Sequence, residues 1–174
     1  MRVHRGLTLL ALLAAAGPAG AQPASFTATV ERVVDGDTVR VVARGFQTTV
    51  RLVGIDTPET RRPGTPVQCW GPEATRRAER LLPEGARVRV TSDPTQDRRD
   101  RYGRFLGYVT RVGMRVTVNY ALVAGGDAKV YVYDRDRPFA RVRSFRTAER
   151  RARAANLGLW GPPCNGRTDR PEPE

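Results

Sequence analysis

The chain has 174 residues, a net charge of +12, 40% apolar residues and one histidine, His4. That length holds one domain with a core of ordinary size, and the apolar content excludes wholesale disorder. A lone histidine at the extreme N-terminus excludes Ser-His-Asp, Cys-His and histidine-ligated zinc machinery; no Walker loop and no GxGxxG is present.

Residues 1–21 read as a secretory signal peptide. Arg2 and Arg5 form the positive region, Leu7 to Ala16 is an apolar run too short to span a bilayer, and Ala19-Gly20-Ala21 offers a small-residue cleavage site. An uncleaved anchor or a buried helix is the competing reading. Cleavage after Ala21 leaves an exported chain, periplasmic or extracellular, with no membrane anchor and no histidine. In an oxidising compartment Cys69 and Cys164, the only cysteines, are expected to pair, the alternative being two free thiols. Closing so long a loop is worth about 4–5 kcal/mol by chain entropy.

Phe26, Ala28 and Val30 alternate as a first strand, which runs through Val33-Val34 into the turn Asp35-Gly36-Asp37. Thr38–Ala43 is a second strand, Arg44-Gly45 a turn, and Gln47–Ile55 a third strand. Residues 56–69 form a loop rich in Pro, Gly and Arg. A helix follows, with Gly71 as cap, Pro72 at its first position, Glu73 favourable near the positive end of the dipole, and Pro83 and Gly85 as its stop. Ala86–Thr91 is a fourth strand, and Tyr102–Arg111 a fifth. Val116–Ala124 is a short helix, Val130–Tyr133 an extended stretch, and Arg137–Ala155 a last helix. That helix carries an apolar stripe of Phe139, Val142, Phe145, Ala148, Ala152 and Ala155, and seven arginines against one acid, Glu149.

Five short strands with a helix between the third and fourth describe an α+β, mainly β, fold: a five-stranded Greek-key barrel of the OB type with about three helices. A sandwich with peripheral helices gives similar signals. The domain spans 22–164, and residues 165–174 are expected to be a disordered tail.

Two strands carry an arginine in an apolar setting, Arg51 in Val50–Ile55 and Arg104 at the head of Phe105–Val109. A buried guanidinium needs an anion. A structural ion pair and a site for a substrate phosphate, which Arg matches with a bidentate fork, are equally open on the local sequence. Asp35 and Asp37 flank a turn, Asp56 ends the strand carrying Arg51, and Glu59 follows. Taken alone, the Asp-Gly-Asp segment is a hairpin turn; taken with the other acids it suggests a hard cation held by oxygen ligands, Ca2+ or Mg2+.

Together these segments resemble the staphylococcal (micrococcal) nuclease, or thermonuclease, family. The resemblance is carried by Asp35-Gly36-Asp37-Thr38-Val39, by Arg51 through Glu59, and by Gly71-Pro72-Glu73-Ala74. Asp100-Arg101-Tyr102-Gly103-Arg104 and Ala128-Lys129-Val130-Tyr131-Val132-Tyr133 complete it, in the family's order and at similar spacing, over about Phe26 to Trp160. It implies a Ca2+-dependent hydrolase of DNA and RNA phosphodiesters with little sequence specificity, leaving 3'-phosphate ends and working as a monomer without an obligate protein partner. By position, Asp37 and Asp56 resemble the metal-binding carboxylates, with the Thr57 carbonyl as a third ligand. Arg51 and Arg104 match the phosphate-clamping arginines, and Glu59 the general base or organiser of the attacking water. Arg101 and Tyr102 match contacts to a terminal phosphate, and Tyr131 and Tyr133 aromatics near the nucleoside. The cysteine pair is an addition to the archetype. Arg61 and Arg62 are a second departure: they stand where the archetype's loop has lysines. The alternative function is a non-catalytic nucleic-acid-binding OB module. A cationic protein that binds acidic surfaces through its last helix is a third reading.

Overall fold

The computed structural model describes residues 24–61 and 63–169. The signal peptide expected over 1–21, residue 62 and the end of the tail lie outside the described residues.

Alternating small β-branched residues build the barrel. β1 (Ser25–Asp35), β2 (Thr38–Ala43) and β3 (Phe46–Leu52) form an antiparallel meander. β5 (Arg87–Thr91) and β6 (Phe105–Arg111) pair antiparallel; β5 pairs with β1, and β6 runs parallel to β3. The order β1-β2-β3-β6-β5 closes the barrel, as the OB reading requires. Inward positions alternate with solvated ones. Val30, Val39, Val41, Val50, Leu52, Val88, Val90 and Val109 are all at most 2% exposed.

Among the described residues, three helices and a 3-10 turn lie outside the barrel: α1 (Gly71–Leu81), α2 (Val118–Ala124), α3 (Val142–Ala154) and Gly158–Trp160. Asn119 on α2 is fully buried. Its amide donates to Val53 O (3.0 Å) and Gly107 O (3.1 Å) and accepts from Val109 N (3.0 Å), binding the helix to the β3–β6 seam. The Cys69–Cys164 disulfide is formed, with a Cα–Cα distance of 5.8 Å.

Several boundaries differ from the sequence reading, each for a packing reason. The third strand does not run unbroken to Ile55. Gly54, at φ +81°, turns the chain out of the barrel, and β4 (Ile55–Asp56) pairs instead with β7 (Lys129–Val130). A Cβ at Gly54 would lie 2.7 Å from the Phe139 ring. The same contact shortens the last helix. Phe139 is buried ahead of α3, and the Asp93 carboxylate accepts from Ala140 N (2.9 Å), so the helix starts at Val142 rather than Arg137. Ala155, at the end of the expected stripe, is exposed. The fifth strand starts at Phe105 rather than Tyr102, because residues 100–103 form a turn closed by Asp100, with Gly103 at φ +77°. Trp70, at φ 72°, stands where Gly71 was expected to cap α1. The expected tail is held at its start. Lys129 Nζ donates to Gly166 O (3.0 Å) and to Thr168 Oγ1 (2.9 Å), and Thr168 is buried.

Candidate active site

The candidate site sits at one end of the barrel, where the β1–β2 turn meets β4. Two bulges in β1, the second between Val33 and Asp35, twist the strand into that turn. Gly36 is there because Thr57 packs on it: a Cβ at residue 36 would lie 2.7 Å from Thr57 Oγ1. The contact brings the loop after β4 onto the turn. Asp37, 6% exposed, then accepts from Thr57 N (3.1 Å) and from Thr38 Oγ1 (3.0 Å).

Arg51, opposite Thr38 in the β2–β3 register, reaches the same place. Its Nη2 lies 2.9 Å from Asp37 Oδ2 and 3.0 Å from Asp56 Oδ1. Its Nη1 donates to Leu52 O (3.1 Å) and Ile55 O (2.9 Å). Two carboxylates from separate segments of the chain therefore converge on one nitrogen, and the ion-pair reading of Arg51 holds in this structure. Negative charge is crowded here. Burial first, and the Asp37 carboxylate second, push Asp35 up to about 6. Among the described residues no three acidic, histidine or cysteine side chains form a ready cation cage. The donors present are carboxylate and carbonyl oxygens, and Asp37 and Asp56 already surround a single positive charge. That donor set fits a hard divalent cation.

Glu59 lies in the loop between β4 and α1. Its Oε1 accepts from Thr60 N (2.9 Å) and Arg61 N (2.8 Å). Its backbone is bound on both sides by Gln68: Glu59 N donates to Gln68 Oε1 (2.7 Å), and Glu59 O accepts from Gln68 N (2.9 Å). The first turn of α1 presses on this loop, since a Cβ at Gly71 would meet Thr60 Cγ2 at 2.7 Å and Glu59 O at 3.0 Å.

Arg104 directly precedes Phe105, which pairs with Val50, so Arg51 lies in β3 and Arg104 at the entry to the neighbouring strand β6. Arg104 Nε contacts Asp100 Oδ2 at 2.6 Å. Burial opposes the Asp100 charge, but bonds from Arg104 and from the Tyr102 and Arg104 backbone outweigh it and hold the carboxyl below the usual range. Tyr102 is exposed and lies under both cations, 4.8 Å from Arg101 and 5.4 Å from Arg104, and its hydroxyl accepts from Arg101 Nη2 (2.7 Å). Tyr131 follows β7, its N–H bonded to Gly54 O (3.0 Å), and is half-exposed. Tyr133 is exposed.

From sequence, Asp35 is grouped only with the acids that suggest a cation, and no role in the site falls to Gln68 or Asp100. Asp100 could have been found from its i, i+4 spacing to Arg104. Gln68 could not, because its two bonds to Glu59 go to main-chain atoms of a residue nine positions away.

Residues 49–162 match the family model described as staphylococcal nuclease homologue. The chain is 38% identical over 133 residues to endonuclease YncB of Bacillus subtilis, covering 76% of this chain and 60% of that protein. It is 38% identical to a prophage-derived endonuclease, YokF, of the same organism, over 76% of this chain and 43% of that one. To the thermonuclease of Staphylococcus intermedius it is 36% identical over 132 residues, 75% of this chain and 74% of the other. The chain thus spans less than two thirds of either Bacillus endonuclease.

Proposed function

From the premise that the chain belongs to the staphylococcal nuclease family, we propose that it hydrolyses phosphodiester bonds of DNA and RNA with little sequence specificity. The reading extends to an exported, monomeric, Ca2+-dependent enzyme that leaves 3'-phosphate ends. The observation that carries it is the convergence of Asp37 Oδ2 and Asp56 Oδ1 on Arg51 Nη2, at 2.9 and 3.0 Å. Export is supported by the N-terminal sequence and by the formed disulfide.

Asp37, Asp56 and the Thr57 carbonyl are the groups that would hold the cation, and its chemistry there is charge neutralisation at a bound phosphate. The remaining work falls to the protein. Glu59 takes the proton of the attacking water, a task for which its carboxylate needs no histidine. Arg51 and Arg104 face the charge that builds on the phosphate oxygens, and removing one such guanidinium costs roughly 10²-fold or more in rate. Arg101 and Tyr102 extend the cationic and aromatic surface along the turn before β6. Tyr131 and Tyr133 offer faces on which any base can stack, which suits a general nuclease.

The test is digestion of plasmid DNA and of RNA with Ca2+, Mg2+ or EDTA present, followed by end-group analysis. Cleavage is expected with Ca2+ and none with EDTA. Glu59→Gln and Arg104→Ala are expected to fold and to be nearly inert. Full activity in either variant would overturn the mechanism, and binding without turnover under excess Ca2+ would favour the non-catalytic module.

A further inference from the structure

We propose that Gln68 is a positioning residue for Glu59, and that the Cys69–Cys164 disulfide keeps Gln68 in place to do so. The inference rests on the reading of Glu59 as the proton acceptor.

Glu59 occupies the loop between β4 and α1, whose described residues form no helix or strand. Such a loop does not hold a carboxylate in one place by itself. Here residues 59 and 68 close it into a neck. Gln68 Oε1 accepts from Glu59 N at 2.7 Å, and Gln68 N donates to Glu59 O at 2.9 Å. One residue thereby satisfies both main-chain groups of Glu59. The Glu59 carboxylate bends back onto Thr60 N and Arg61 N, so its direction follows from the backbone that the neck fixes. Residues 63, 64, 66 and 67 beyond the neck are exposed.

The neck is itself tied down. Gln68 O accepts from Gly71 N (2.9 Å) at the start of α1, and Cys69 is 2% exposed. Its partner Cys164 follows the 3-10 turn, whose Leu159 N donates to Gly126 O (2.9 Å). Gly126 and Gly158 touch so closely that a Cβ on Gly158 would lie 2.3 Å from Gly126 O. The far end of the disulfide is thus fixed to the segment between α2 and β7, not to the loop. The covalent path runs from that packed region through Cys164 and Cys69 to Gln68, and then by two hydrogen bonds to Glu59. Displacements on the order of 1 Å in a reacting group can cost about 10²-fold in rate.

The variants are Gln68→Met, which keeps size and removes the acceptor, Gln68→Glu, which keeps an acceptor, and Cys69→Ser with Cys164→Ser. Two quantities are read: kcat and KM on a DNA substrate, and hydrogen exchange at the Glu59 amide. Gln68→Met is expected to lower kcat by about 10- to 100-fold, with KM little changed, and to speed exchange at Glu59. Gln68→Glu restores most of both. The double cysteine variant follows Gln68→Met. In a Glu59→Gln background, Gln68→Met adds no further loss, because it acts through Glu59. An unchanged kcat in Gln68→Met, an equal loss in the Glu59→Gln background, or unchanged exchange at Glu59 would each overturn the role of Gln68. Unchanged exchange in the double cysteine variant would overturn the role of the disulfide. If the wild-type protein cleaves no phosphodiester, the proposed activity fails, and the exchange measurements still decide whether the neck exists.

Discussion

Asp127 lets burial be measured directly. It is 7% exposed, just after the end of α2, with Trp70 Nε1 donating to its Oδ1 (3.2 Å) and Arg77 Nε at 3.8 Å from its Oδ2. Burial raises its pKa from 3.8 to about 6, while Trp70, Arg77 and Arg80 pull it back only in part. The folded protein therefore holds this proton more tightly than the unfolded chain. Its contribution is fully present below about pH 4 and is lost as pH rises through 6. A shift of that size is worth about 3 kcal/mol between the limits. Asp127→Asn keeps the shape and an acceptor for Trp70 and removes the titration. Relative to the wild type, it should become more stable by about that amount as pH rises from 4 to 7. For a domain of this size that is about 6–12 °C in Tm. The assay is thermal unfolding of both proteins from pH 4 to pH 8. If the two curves run parallel across that range, Asp127 is not titrating in the way its burial requires.

Three further outcomes follow from other sites. Asn119→Ala removes three bonds at the β3–β6 seam and strands buried main-chain groups, so urea unfolding should show a loss of about 2–4 kcal/mol. Gly71→Ala drives a methyl into Thr60 and the Glu59 carbonyl; kcat on DNA should fall more than stability does, and equal kcat would argue that the loop yields without consequence. Replacing Arg143, Arg146 and Arg150 on the outer face of α3 by Gln should leave kcat intact. It should flatten the dependence of log KM on log salt by up to about 0.7–0.9 for each phosphate that an arginine no longer neutralises.

The barrel was legible because its strands alternate cleanly and are separated by turn residues, as in Thr38–Ala43 between Asp35-Gly36-Asp37 and Arg44-Gly45. The helices were legible where an apolar face repeats, as on α1 with Ala74, Ala78 and Leu81. What escaped the sequence was decided across the fold. Nothing local to Gly54 says that Phe139, distant in sequence, will press against it and end β3. Nothing local to Arg137 says that Phe139 and Ala140 are claimed by the core and by Asp93 before α3 can begin. In the candidate site, the two arginines stood out by charge in apolar company, and the acids by their places at a turn and a strand end. Their supports, Gln68 behind Glu59 and Gly36 beneath Thr57, did not, because each works through main-chain contact or through the lack of a side chain.

The parallel seam between β3 and β6 also bears on when this protein becomes competent. The meander β1–β2–β3 needs only short turns, so Asp37 and Arg51 belong to a part of the chain that can assemble early, whereas Asp56 lies in β4, which pairs with the distant β7. Joining β1 to β5 brings together residues such as Ser25 and Thr91, 66 positions apart. Arg104 and Phe105 reach Val50 only when β6 is laid against β3. The second guanidinium therefore arrives with the strand that closes the barrel. A chain still emerging in the course of the proposed export would carry Asp37 and one arginine but not the second guanidinium proposed to face the phosphate. On the proposed function, such a partly folded chain would have no finished site with which to cut nucleic acid.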